Sequence, residues 1–286
     1  MKGKLKILTA MLIFGSIGVF VKKIDLPSSE IAFLRGIIGS LFLIFASVLV
    51  KRKLSLKSIR ENIVLLVVSG TAIGCNWIFL FQAYKYTTIS NATLSYYFAP
   101  IFVMMIAPFV LKERLTPGKV GCLIAAMIGL SLINLGGSDT SSASNHLIGI
   151  LYGLLAAVLY ASVILMNKFI KDLSGFETTL VQLIISSIVM LPYILLEDTV
   201  DFSKLTSSSI IIILILGIIH TGVAYFLYFT AIKELKGQTI AVLSYIDPIS
   251  AVIIAAIFLG ERMNFVQIVG GILILGSTFW SERIEK

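Results

Sequence analysis

The sequence predicts an all-α integral membrane protein of ten transmembrane helices arranged as two inverted five-helix repeats. Three observations carry that prediction. The first is composition: 58% of the 286 residues are hydrophobic, mean hydropathy is +1.01, and 13% are charged, against about 25% in a soluble domain. The second is run length. No acid or base lies within Tyr86 to Leu111, Val120 to Ser138, Thr178 to Leu196 or Met263 to Ser281, and each run reaches the ~20 apolar residues a helix needs to cross the hydrocarbon core. The third is a duplication. Tyr97-Phe98-Ala99-Pro100-Ile101, followed by Leu111-Lys112-Glu113-Arg114-Leu115, recurs as Tyr245-Ile246-Asp247-Pro248-Ile249 followed by Leu259-Gly260-Glu261-Arg262-Met263. Recurrence of an intrahelical proline and of a Glu-Arg pair at one fixed spacing marks an internal repeat, which also aligns Gly74 with Gly222, Phe81 with Phe229 and Ala83 with Ala231.

Apolar runs bounded by charged or turn residues place the spans at 5–21, 31–50, 63–84, 91–111, 118–135, 147–167, 178–196, 209–232, 239–259 and 265–281. The first run follows Met1-Lys2-Gly3-Lys4-Leu5-Lys6 and imitates a signal peptide. Lys22-Lys23 stand where a small-residue cleavage site belongs, so it is read as an uncleaved first span. Residues 1–138 form the first repeat, 139–146 a flexible linker within the polar stretch from Gly136 to His146, and 147–286 the second repeat. Cys75 and Cys122 fall inside spans and read as small apolar residues, with no disulfide framework and no metal spacing.

Orientation follows from the basic residues of short loops. A cytoplasmic N-terminus puts most Lys and Arg inside, including those of 2–6, 51–60 and 112–119, and leaves Lys22, Lys23, Lys85, Lys204 and Arg262 outside. The net charge of +8 is thereby explained by topology in a cytoplasmic membrane, and no nucleic-acid partner is expected. Both termini are then cytoplasmic. Five spans per repeat is an odd number, so the second copy starts on the opposite side and the repeat is inverted. Glu113-Arg114 is expected at the cytoplasmic face and Glu261-Arg262 at the exterior. Inverted repeats with a midplane site are a secondary-transporter architecture.

Ten spans, inverted halves and a proline-centred helix ending in Leu-x-Glu-Arg in each half resemble the drug/metabolite transporter superfamily, EamA type. The resemblance covers the whole chain and rests most on Phe98-Ala99-Pro100 to Lys112-Glu113-Arg114 and on Asp247-Pro248 to Gly260-Glu261-Arg262. It implies a proton-linked or exchange-type carrier of small metabolites, often an exporter. Its central cavity would lie between spans one, three, four, six, eight and nine.

Several residues are candidates for that site. Pro100 and Pro248 are expected to kink their helices in mid-span, free a backbone carbonyl and act as hinges or shape the cavity. Asp247 is the one carboxylate inside a predicted span and stands near the midplane, where an ionisable group is costly and functional by default. It is expected to carry a proton or balance a cationic substrate, the alternative being a hydrogen-bonded Asp beside Pro248. His220 is expected either to share a proton with Asp247 or to make an interhelical bond. Asn76 offers a polar group on the same face in the first half. Trp77, Tyr96, Tyr97, Tyr160, Tyr225, Tyr228 and Tyr245 supply an aromatic lining suited to a cation or an amine. Tyr84, Tyr86 and Trp280 are read as an interfacial belt, and Arg35 as snorkelling to the headgroups, a substrate-carboxylate role being its lesser alternative. Glu113 with Arg114, and Glu261 with Arg262, are expected to pair locally and support gating.

No phosphate-binding loop, zinc-protease helix or nucleophile elbow is present, so neither enzymatic activity nor a cofactor or metal site is expected. The expected function is secondary transport by alternating access, with export of amino acids or related compounds foremost. An uptake carrier for an organic cation such as choline and a non-transporting membrane sensor are the alternatives. The expected partners are a small-molecule substrate, protons or another coupling ion, and the bilayer around a monomer or homodimer.

Overall fold

A backbone in hydrocarbon must satisfy its own N–H and C=O groups, and apolar runs of this length therefore fold as helices. The computed structural model describes residues 2–21, 23–51, 54–87, 89–136, 146–197, 205–259 and 265–284, and every regular element among them is helical. In order they are α1 (Lys2–Val21), α2 (Ser28–Leu49), α3 (Leu56–Glu61), α4 (Ile63–Tyr86), α5 (Ile89–Tyr96), α6 (Ala99–Val110), α7 (Pro117–Gly136), α8 (His146–Asn167) and α9 (Gly175–Glu197). Then come α10 (Ser207–Ile215), a π-helical stretch (Leu216–Val223), α11 (Ala224–Glu234), α12 (Gly237–Leu243), α13 (Ile246–Leu259) and α14 (Phe265–Ile284). Among the described residues seven segments are long and apolar enough to span a membrane, and Ala99–Val110, Pro117–Leu132 and Ile268–Ser281 are shorter apolar helices. The loop expected between spans two and three holds the extra helix α3, whose start is capped by Ser55. The expected linker falls almost wholly outside the described residues, as do Glu261 and Arg262.

Large apolar side chains on the outside of the bundle identify its solvent. Leu41, Phe45, Val64, Phe109, Ile188, Leu195, Ile257 and Phe279 are exposed, an arrangement that only hydrocarbon stabilises. The inside carries buried polar groups that tie helices together: the Gln182 amide on α9 donates to Asn167 Oδ1 at the end of α8 at 2.7 Å and to the Ser69 hydroxyl on α4.

Two apolar runs expected as continuous kinked helices are instead broken in two. One break separates α5 from α6 at Tyr97-Phe98, the other α12 from α13 at Ser244-Tyr245. Pro100 is the second residue of α6 and Pro248 the third of α13. The first-turn N–H that proline lacks has no intrahelical acceptor anyway, so proline starts these helices where it was expected to bend them.

Close backbone approach positions the pieces. A Cβ on Gly15 of α1 would stand 2.2 Å from Ser250 Oγ and 2.9 Å from the Asp247 carbonyl, so only glycine lets α1 lie against the start of α13. On the other side, a Cβ on Gly217 would meet Ile38 at 2.3 Å, which seats the π-helical stretch on α2.

Candidate functional site

The two helix breaks lie against each other, and their hydrogen bonds explain the geometry. In a continuous helix the Ile101 N–H would bond the Tyr97 carbonyl. It bonds the Phe98 carbonyl at 2.9 Å instead, which leaves the Tyr97 carbonyl open. The hydroxyl of Tyr245, at the opposite break, donates to that carbonyl at 3.0 Å. Tyr97 in turn donates its hydroxyl to Asp247 Oδ2 at 2.9 Å, and the two tyrosine rings stand 6.4 Å apart. Asp247 is the second residue of α13 and half-buried. Its carboxylate therefore sits at the positive end of a 14-residue helix, where the helix dipole favours an anion. Glu30 and Glu177 join first turns of α2 and α9, because these helices start earlier than the apolar runs suggest. Asp247 alone of the three lies mid-span, within the membrane-length segment Gly237–Phe258.

From Tyr97 a chain of aromatic contacts crosses the bundle. Tyr96 packs edge-on against Tyr97 and stacks on Tyr160 at 5.6 Å; Tyr160 stacks on Tyr228 at 6.1 Å with planes 13° apart. Phe14 of α1 joins Tyr228 to Tyr225 in edge contacts of 6.1 and 5.2 Å, and Tyr225 meets Trp77 edge-on at 6.2 Å. The structure thus brings together Trp77, Tyr96, Tyr97, Tyr160, Tyr225, Tyr245 and Asp247. Phe14 gave no signal, because α1 is apolar on every face and no stripe marks the one that turns inward.

Arg35 corrects a second expectation. Helix α2 starts at Ser28, so Arg35 lies ~10 Å along it and does not reach outward. Its guanidinium Cζ stands 5.1 Å above the Trp77 ring, and its Nε is buried with no hydrogen-bond acceptor among the described residues. A cation–π contact contributes about 0.5–2 kcal/mol, less than the several kcal/mol that a desolvated ion costs. Tyr84 packs beside Phe81 on α4, whereas Trp280 is exposed as an interfacial residue should be.

Other candidates have different work. His220 does not meet Asp247: its Nε2 lies 2.8 Å from Ser16 Oγ, its Nδ1 3.4 Å from the Ile215 carbonyl, and its ring packs on Phe20. The five-residue reach to Ile215 is that of a π-helix, which Thr221 repeats by donating to the Leu216 carbonyl at 3.0 Å. Asn76 donates to the Ala156 carbonyl of α8 at 2.6 Å, a helix–helix bond, and is buried.

Glu113 does not pair with Arg114. Its carboxylate accepts from the backbone N–H groups of Gly237 at 2.8 Å and Gln238 at 3.3 Å, capping α12, while the Gln238 amide donates to the Arg114 carbonyl at 2.9 Å. Lys6 pairs with Glu234 at the same end of the bundle. Burial lowers the Lys168 pKa below the usual lysine value, and the neighbouring Glu113 carboxylate pulls it back up. Among the described residues no group of three or more His, Cys, Asp or Glu is placed to hold a metal.

Apolar helices of membrane-spanning length, with two helix breaks in contact beside an aromatic wall, define a multi-pass membrane protein. The model of the EamA-like transporter family matches residues 1–135 and again 147–282. The chain belongs to that family, within the drug/metabolite transporter superfamily, and is a transporter by family. It is 31% identical over 272 residues, 94% of this chain and 86% of the relative, to the uncharacterized transporter YxxF of Bacillus subtilis. It is 24% identical over 290 residues, 99% of this chain and 97% of the relative, to the pseudopaline exporter CntI of Pseudomonas aeruginosa. A solved crystal structure matches with a TM-score of 0.87 over 99% of both chains at 17% identity, which shows the fold alone.

Proposed function

We propose that the chain is a proton-linked secondary carrier that exports amino acids or related small metabolites across the cytoplasmic membrane by alternating access. In this reading it has ten spans in two inverted five-helix halves, both termini are cytoplasmic, and α5–α6 and α12–α13 are the broken spans four and nine. Two matches to one family model, one in each half, and breaks at positions related by the sequence repeat support the inverted architecture.

One observation carries the functional reading. The Asp247 carboxylate, held by the Tyr97 hydroxyl, sits where the two breaks meet and faces an aromatic wall. An acid in that setting takes up a proton or the ammonium of a substrate, and its exchange of one for the other couples flux to the proton gradient. The same features give the second reading, an organic cation such as choline. Exchange measured in proteoliposomes loaded with labelled amino acids or with labelled choline separates the two. Saturable amino-acid exchange without choline exchange is expected; choline exchange alone would overturn the first reading in favour of the second.

A further inference from the structure

The aromatic wall has a charge at each end, and only one of them has been given a task. Asp247 closes it through Tyr97. Arg35 closes the other end, stacked on Trp77. Arginine stays protonated at any physiological pH, so the positive charge is permanent. Among the described residues no carboxylate pairs with Arg35, and its buried Nε has no acceptor. The residues between the two charges are rings in contact with one another. A guanidinium held over an indole ring with its Nε unpartnered has N–H donors to offer the oxygens of a carboxylate.

We propose that Arg35, beside Trp77, is the carboxylate anchor of the transport site, so that an amino acid binds with its carboxylate at Arg35 and its ammonium on the aromatic wall that leads to Asp247. This deepens the amino-acid reading above and rests on it. It makes Arg35 the residue that discriminates an amino acid from the plain cation of the rival reading: a permanent positive charge repels a quaternary ammonium that brings no anion to meet it.

The chain has two tryptophans, Trp77 and Trp280, and Trp280 is exposed on the outside of the bundle. Replacing it by Trp280→Phe leaves Trp77 as the sole indole emitter, directly beneath Arg35. The experiment titrates this purified full-length protein with the twenty L-amino acids, with the amide and the deaminated acid of each one that shifts the emission, and with choline. Amino acids are expected to shift it saturably, with each amide at least about tenfold weaker, the factor for losing one charge-assisted pair. Arg35→Gln should bring acid and amide to within about twofold, and Arg35→Lys should restore part of the preference. Equal binding of an amino acid and its amide by the parent would overturn the anchor and leave the amino-acid carrier standing. A shift by choline alone would overturn both. Should Arg35→Gln fail to fold, the comparison of acid with amide on the parent decides by itself.

Discussion

Tyr97 and Tyr245, which occupy the same place in the two halves, hold each other's helix break by unlike bonds. Tyr245 donates to the Tyr97 backbone carbonyl at 3.0 Å, whereas Tyr97 donates to the Asp247 side chain at 2.9 Å. The difference follows from one position of the repeat: the first half has Ala99 where the second has Asp247. A backbone clasp repeated in both halves would be structural. The carboxylate that takes one of the two hydroxyls is the asymmetric addition, and it marks the chemical pole of the site.

Asp247→Ala is therefore expected to fold, because Ala99 already fills the equivalent place in the sequence repeat. Its unfolding temperature in detergent should stay within a few degrees of wild type while substrate affinity falls at least about tenfold, the loss of a charge-assisted contact. A collapse in stability with affinity intact in the folded fraction would make Asp247 a structural residue.

Tyr245→Phe should behave the other way. It strands the Tyr97 carbonyl that the break opens, a cost of about 1–3 kcal/mol for a buried acceptor. Thermal unfolding should drop measurably with the order of substrate preference unchanged. A changed preference at unchanged stability would contradict this assignment.

Asn76→Ala tests the helix–helix bond of a residue expected from the sequence to line the site. Its amide holds the Ala156 carbonyl across α4 and α8, so the substitution should cost about 0.6–2 kcal/mol of stability, the range of interhelical hydrogen bonds in membranes. Relative rates among substrates should not change. A selective loss of one substrate would return Asn76 to the site.

Glu113→Ala removes the carboxylate that caps α12, a contact worth about 1 kcal/mol, and should loosen that end of the bundle. Ala241 is buried in α12, so a cysteine placed there in a chain lacking Cys75 and Cys122 reports opening. Its labelling by a membrane-impermeant maleimide should rise roughly fivefold from the side bearing Glu113, matching that free energy. Unchanged labelling would mean that other contacts keep this end shut.

Much of this was legible in the sequence. Hydropathy marked the membrane helices, and the spacing of Tyr97-Pro100 and Tyr245-Pro248 located both breaks, since proline signals a helix that cannot continue unchanged. It could not say that the helices stop and restart, because Pro at a first turn and Pro at a kink look alike until the bonds of Ile101 are seen. The aromatic residues were found because Tyr and Trp are chemically conspicuous in a membrane span, and Phe14 was missed because phenylalanine is not. Arg35 was misplaced by about one turn at the start of α2: Ser28, Ser29 and Glu30 look like loop and fold as helix. For His220, expected either to share a proton with Asp247 or to make an interhelical bond, the π-helical stretch turns the ring toward Ser16 of α1, a register that no periodicity announces.

The most direct test is flux in proteoliposomes under an imposed pH gradient, with wild type beside Asp247→Asn, which keeps the volume and an acceptor for Tyr97 but cannot carry the charge. Amino-acid flux that follows the gradient in wild type and is lost in Asp247→Asn is expected. Gradient-driven flux that is the same in both proteins would contradict the assignment of coupling to Asp247.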